Sequence, residues 1–333
     1  MNLADLFTPS ALTTAVNTLP TAPSVLGDSG LFTVRPIKEL NATIESINGR
    51  LVLVEDTDRN GDPDHKGSKK RQAEVFRVPH LPKTATILPD ELNVRAFGDE
   101  SANELAAPAQ VINDKLQGLK DDIETTKEFH RVGAICGKIL DADGVTVIHD
   151  LYKKFGVAEK NINIAFSNPA TDIRAQLLEA KRYAKKQLGG ALIKKWVCYC
   201  SASYFDGLTG HDSVQKAYAN YQEAADRLAG DKRTGFTFAD IEFIEYDVEV
   251  INKAGDPVKF IADGTARLVP VVDKLFLTIY SPANYNGAVN TLGQPMYAMA
   301  EERSMTKGWK LEAQSNPLSI CTAPGALVKL SAT

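Results

Sequence analysis

Residues 101–135 read SANELAAPAQVINDKLQGLKDDIETTKEFHRVGAI, and the fold class turns on this stretch. Ser101 followed three residues later by Glu104 is a capping box: the hydroxyl accepts from the Glu104 N–H and the carboxylate reaches back. Pro108 sits early, near the first turn. Leu105, Ala109, Ile112, Leu116, Leu119 and Ile123 follow at 4-3-4-3-4 spacing, which marks one face of an α-helix. Asp114, Lys115, Asp121 and Glu124 occupy the other face. Carried to Ile135, the pattern predicts a helix of about 34 residues, ~50 Å long at 1.5 Å per residue. Gly118 and Gly133 inside it each cost ~1 kcal/mol relative to Ala and make bending easier.

Upstream, Ile44, Ile47 and RLVLVE (50–55) predict a strand, and AEVFRVPHL (73–81) a second. The polar link between them makes an extended hairpin, and long loops in compact domains are usually functional. Residues 1–40 are rich in Thr, Pro, Ser and Ala. They are too broken for a helix or strand and too apolar for a solvated tail, so an extended arm without a partner in its own chain is expected. Downstream, GVTVIHD (144–150) predicts a strand. A helix opens at Asn168-Pro169, carries Ile173, Leu177, Ala180, Ala184 and Leu188, and closes at Gly189 and Gly190. KWVCYC is a buried strand, residues 212–228 a third helix, and 236–251 strongly β. Short strands with Pro and Gly turns follow to Leu330. Without regular βαβ alternation, this order reads as α+β.

Several motifs invite a chemical reading. Asp56-Thr57-Asp58-Arg59-Asn60-Gly61-Asp62 fits the first half of a calcium loop. Position twelve, which needs a bidentate Glu, is Gly67, position eight is Pro63, and the flanks are strands. Asp56, Asp58, Asn60 and Asp62 are therefore expected to form a hydrated acidic turn, not a metal site. Gly27-Asp28-Ser29-Gly30 resembles a serine-protease nucleophile region, but no His precedes it. GDKRTG (230–235) has P-loop glycine spacing without the lysine. His65, His80, His130, His149 and His211 are scattered, and Cys198 and Cys200 lack C-x-x-C spacing. No catalytic, cofactor or metal constellation emerges, and no enzyme is expected.

The chain has 333 residues, 44% hydrophobic and 24% charged, with a formal net charge of −4. That is ample for a core and argues against a dedicated nucleic-acid binder. Neither a secretion signal nor a ~20-residue apolar span is evident.

The run VPHLPKTATILPDELNVRAFGDE (78–100) resembles the segment between hairpin and long helix in the major capsid proteins of tailed phages of the lambda E family. The order of parts is similar: FTPSALTTAVNTLPTAPSVLGDSGLF, then INGRLVLVE, a polar loop, KKRQAEVFRVPHLP, and LNVRAFG leading into the helix. Trp309 followed by SNPLSICTAPGALVKL resembles the family's C-terminal strands. The likeness covers the first ~135 residues and, less closely, the last ~25. It implies the Hong Kong 97-type capsid fold: an arm (1–40), an E-loop hairpin (41–97), and a P-domain (98–167) with a spine helix (101–135). Residues 168–300 would be mainly A-domain, and 301–333 strands returning to the P-domain and axial sheet. No Lys–Asn crosslinking motif is present.

The resemblance further implies self-association as hexamers and pentamers of an icosahedral head shell, assembled in the host cytoplasm and located in the virion. Scaffolding, portal and decoration proteins are the expected partners, with double-stranded DNA held without sequence specificity and no membrane. Lys66, Lys69, Lys70 and Arg71 are expected at the E-loop tip, facing a neighbouring subunit. The alternatives are a tail-tube subunit, against which the long helix argues, and a metal-dependent soluble enzyme using the 56–64 loop.

Overall fold

The computed structural model describes residues 7–21, 24–46, 72–92, 106–219 and 234–332. The chain divides into two compact units. The first gathers Met1–Ala42, Val75–His130 and Leu277–Ser319; the second gathers Thr43–Glu74, Arg131–Phe276 and Ile320–Thr333.

The first unit is built on the long helix, observed as Ala106–Cys136. Its capping box and first residues, 101–105, lie outside the described residues. The anticipated stripe is buried: Ile112, Leu116, Leu119 and Ile123 are all under a tenth exposed. It packs with an antiparallel sheet in the order Tyr297–Glu302, Trp309–Ser315, Leu81–Ile87. Ile87, Ala298, Leu311 and Ala313 supply the sheet's side of that core.

The expected irregular arm is a correction. Pro9–Thr18 is an α-helix with Pro at its first position. Phe7, Leu12 and Val16 are buried in the same core as the long helix, and the Phe7 ring stacks on Trp309 at 4.0 Å with the planes 4° apart. Pro9 pre-sets the first turn, and Leu12 and Val16, four apart, share one face. Their burial outweighs the poor helix propensity of the threonines. The arm therefore does have a partner in its own chain.

The predicted strand at 73–81 is two elements. Gln72–Arg77 pairs with Asn41–Ser46 as a two-stranded sheet, and the chain leaves strand geometry before resuming as Leu81–Ile87.

The second unit centres on a mixed six-stranded sheet. Its order is Lys160–Ile164, Val328–Ala332, Thr265–Val271, Lys195–Cys200, Ile241–Glu245, Thr234–Phe238. Two of its pairings are parallel, Val328–Ala332 with Lys160–Ile164 and Ile241–Glu245 with Lys195–Cys200. In KWVCYC every residue after Lys195 is buried, as a central strand covered on both faces requires.

The helix Ile173–Gln187 starts four residues after Pro169, where the Asp172 carboxylate accepts from the Ala175 N–H. Ile173, Leu177, Ala180 and Ala184 face the core. A further helix, Ala202–Gly210, was not anticipated; the Ser201 side chain caps it, and it buries Tyr204, Phe205 and Leu208. The β stretch 236–251 folds as a hairpin turning through Ala239 and Asp240, both at positive φ, as the turns favoured in two-residue hairpins demand. Glu249–Ile251 then pairs with Pro257–Lys259. The third predicted helix is seen as Asp212–Ala219, and its remainder lies outside the described residues.

The glycines of the long helix differ in purpose. A Cβ at Gly118 would meet nothing within 4 Å, whereas one at Gly133 would lie 2.8 Å from the Lys138 carbonyl oxygen. Gly137 follows the last helical residue at φ +79°, where glycine closes a helix.

Candidate functional site

Asp56, Asp58, Asn60 and Asp62, and the basic run Lys66, Lys69, Lys70 and Arg71, all lie outside the described residues, as does the predicted strand at 50–55. What is described is the base of the hairpin that carries them, Asn41–Ser46 against Gln72–Arg77.

Among the described residues Cys198, Cys200 and Cys321 are packed as core side chains. Cys198 and Cys200 share one face of their strand with Sγ atoms 3.8 Å apart, and burial holds the Cys200 thiol well above its ordinary pKa. Burial also raises Cys136 and pushes Cys321 up to about 12. Thiols so disfavoured as thiolates are poor nucleophiles and poor metal ligands. Among the described residues no three His, Cys, Asp or Glu side chains converge as a metal site.

Among the described residues the histidines form no metal-ligating group, and His65 lies outside them. His211 is buried; its Nε2 lies 3.1 Å from the Asn168 carbonyl oxygen and its Nδ1 2.8 Å from Ser213 Oγ. The nitrogen facing a carbonyl must donate, so the other accepts, and no carboxylate completes a relay. His80 Nδ1 pairs with Asn316 Oδ1 at 2.7 Å. Ser29 of the protease-like motif donates to the Leu26 carbonyl.

A groove of about 500 Å³ in the second unit is lined by Lys138, Asp150, Tyr152, Lys153 and Glu159 among others. Its carboxylates are engaged: Asp150 accepts from the Lys153 N–H at 3.1 Å, and Glu159 accepts from Arg267 Nη1 at 2.6 Å. Neither carboxylate is left without a partner there.

The most developed polar arrangement holds the arm along the long helix. Of the described residues between 19 and 28, Val25–Asp28 form one helical turn, and 19–21 and 24 have no helix or strand pairing for their backbone. Gln117 Nε2 donates to the Pro20 carbonyl at 3.0 Å and Lys120 Nζ to the Leu19 carbonyl at 2.6 Å. The Glu128 carboxylate accepts from the Leu26 N–H at 2.6 Å, the Gly27 N–H at 3.2 Å and the Ser24 hydroxyl. Beside them Lys127 pairs with Glu124 at 2.6 Å, 3% and 12% exposed, and lies over the Tyr280 ring. Burial lowers the pKa of Lys120.

The sequence reading placed Glu124 on the solvent face and missed this second stripe. Its signal was there: polar residues of both signs at 117, 120, 124 and 127, in helical register. Side chains acting as backbone partners let a segment without ladders be ordered.

Comparison with known proteins gives a consistent result. Residues 8–332 match the family described as phage major capsid protein E. The chain is 28% identical over 352 aligned positions to the major capsid protein of Salmonella phage Felix O1, covering 96% of this chain and 95% of that protein. Among solved structures, it is similar to a phage-related protein from Bordetella bronchiseptica RB50, with a TM-score of 0.57, 12% identity, and 98% and 97% of the two chains covered. The mature capsid of bacteriophage PhiM1 gives a TM-score of 0.50 at 13% identity, covering 95% of this chain and 89% of that one.

Proposed function

Because this chain belongs to the phage major capsid protein E family, we propose that its two units and its hairpin are the parts of one repeating shell subunit. The protein is a phage major capsid protein of the Hong Kong 97-type fold, and its place is the virion shell. The family match across residues 8–332 carries this conclusion. No described helix is long and apolar enough to cross a membrane.

In this reading 1–40 is the arm, 41–97 the E-loop, and 98–167 the P-domain with the spine helix. Residues 168–300 are mainly A-domain, and 301–333 return to both. The subunits close as hexamers and pentamers into an icosahedral head around double-stranded DNA, with scaffolding, portal and decoration proteins as further partners. The protein has no catalytic role. The buried thiols, the engaged rings of His80 and His211 and the satisfied carboxylates of the groove support that last point. The 31-residue helix supports a shell subunit over a tail tube.

The E-loop is proposed to reach a neighbouring subunit through Lys66, Lys69, Lys70 and Arg71. A long hairpin is an aggregation liability in a monomer and an asset where a neighbour covers it in a closed assembly. The test replaces residues 56–71 with a short Gly-Ser turn. The subunit should fold by circular dichroism, because loop closure depends weakly on length, yet form no shells by electron microscopy. Normal shells would refute the contact, and an unfolded subunit would assign the stretch to its own core.

A further inference from the structure

The helix Ile173–Gln187 carries five cations and one carboxylate. Lys181 is paired with Asp240 at 3.0 Å and Glu179 with Lys160 at 3.6 Å. Arg174, Arg182, Lys185 and Lys186 are exposed and have no ion-pair partner among the described residues. At 100° per residue these four fall within an arc of about 120°, and they span ~18 Å along the axis.

Local energetics do not account for the stripe. Lys185 and Lys186 suit the negative end of the helix dipole, but Arg174, two residues after the Asp172 cap, sits at the positive end, where a cation is disfavoured. Arg182 stands three and four residues from Lys185 and Lys186, and Lys181 four from Lys185; like charges at these spacings destabilise a helix. The helix buries its apolar face in its own unit and contributes none of the exposed large apolar side chains. The usual anchors of a protein interface are apolar or aromatic side chains beside its arginines, and this face offers none. A polyanion needs none.

We propose that Arg174, Arg182, Lys185 and Lys186 form a phosphate-contacting stripe that faces the packaged duplex. This rests on the reading of the chain as a shell subunit around DNA. Duplex DNA carries one charge per ~1.7 Å of axis, so ~18 Å of helix lies along about ten phosphates. Two guanidinium forks suit phosphate oxygens. Four contacts per subunit, repeated over the shell, hold the genome near the wall, while each single attachment is weak enough to let DNA slide. The stripe lies on a chain whose net charge is −4, so the attraction is local.

The test measures fluorescence anisotropy of short duplexes of unrelated sequence with full-length, unassembled subunits. Wild type should bind without sequence preference and weaken roughly 100-fold between about 50 and about 200 mM salt, a log–log slope near −3.6 for four contacts. Replacing all four cations by Gln should remove about one unit of slope per cation. A control that removes Lys253, Lys274, Lys307 and Lys310 by the same change should keep the slope. Unchanged binding in the stripe variant, equal loss in the control, or no binding by wild type overturns the stripe. So does a stripe variant that is folded but cannot form shells, which would make the helix a subunit contact. Failure of wild type itself to form shells or capsomers by electron microscopy would instead refute the capsid reading.

Discussion

Leu12→Ala separates an arm that belongs to its own subunit from one that lies on a neighbour. Leu12 is 1% exposed and Val16 0%. Their core neighbours come from different parts of the chain: Ile87 from a strand, Ile112 and Leu116 from the long helix, and Ala298 and Leu311 from two other strands. A void ringed by several elements collapses poorly, so the upper part of the usual range for Leu→Ala applies, ~3–4 kcal/mol. The arm helix is also pinned by polar bonds: Thr13 Oγ1 donates to the Ala298 carbonyl at 3.1 Å and accepts from the Ala298 N–H, and Asn17 Nδ2 donates to the Met296 carbonyl at 2.9 Å. The helix should therefore not simply slide to fill the gap. Urea unfolding of the unassembled variant gives the stability loss, and amide hydrogen exchange over residues 9–18 shows whether the arm has come loose. A loss below ~1 kcal/mol with arm exchange unchanged would refute the reasoning. If the isolated subunit were indifferent and only shells were weakened, the arm would belong to a neighbour.

Three more outcomes follow from particular contacts. Glu128→Ala strands two N–H groups and a hydroxyl that the carboxylate now accepts from; hydrogen bonds to charged groups are worth ~1.5–3 kcal/mol each. A loss of ~3 kcal/mol or more by chemical denaturation is expected, with faster exchange at the Leu26 and Gly27 amides. Gly137→Ala meets both a φ of +79° and the Tyr152 ring, which the new Cβ would overlap; backbone cost and overpacking together should take ~2–4 kcal/mol, and a neutral result in thermal melts would mean that this turn is misread. Burial raises the Cys321 thiol to about 12 from an ordinary 9.0. The unfolded chain therefore sheds that proton first, and stability should fall as pH rises from about 9 toward 12. Cys321→Ala should flatten that fall in pH-dependent unfolding, and a steeper fall would contradict it.

The long helix was legible because its signal is local and repeats: a 4-3-4-3-4 stripe needs no knowledge of what it packs on. KWVCYC was legible as a short, unbroken run. The sheet it enters was not, because pairing Ile241–Glu245 in parallel beside Lys195–Cys200 is a non-local fact. The arm helix was misread because threonines and prolines dominate the local propensity, while the burial of Leu12 and Val16 decides the outcome. The polar stripe facing the arm was missed because a charge on a helix is ordinarily solvated. The segment of backbone laid across that stripe makes Lys120 and Glu128 interior and half-buries Gln117. The hairpin was legible as two strands joined by a polar link: its base, Asn41–Ser46 against Gln72–Arg77, overlaps the stretches read as strands at Ile44 and 73–81, and residues 50–55 lie outside the described residues.

Val328–Ala332 lies second in the six-stranded sheet, between Lys160–Ile164 and Thr265–Val271. Those neighbours are synthesised long before it. During translation, therefore, Lys160–Ile164 has no strand to pair with in this sheet until residues 328–332 emerge from the ribosome, and the slow, non-local pairing falls last. Any nascent chain too short to include residues 328–332 therefore carries a second unit whose sheet is split, with Lys160–Ile164 cut off from the other strands.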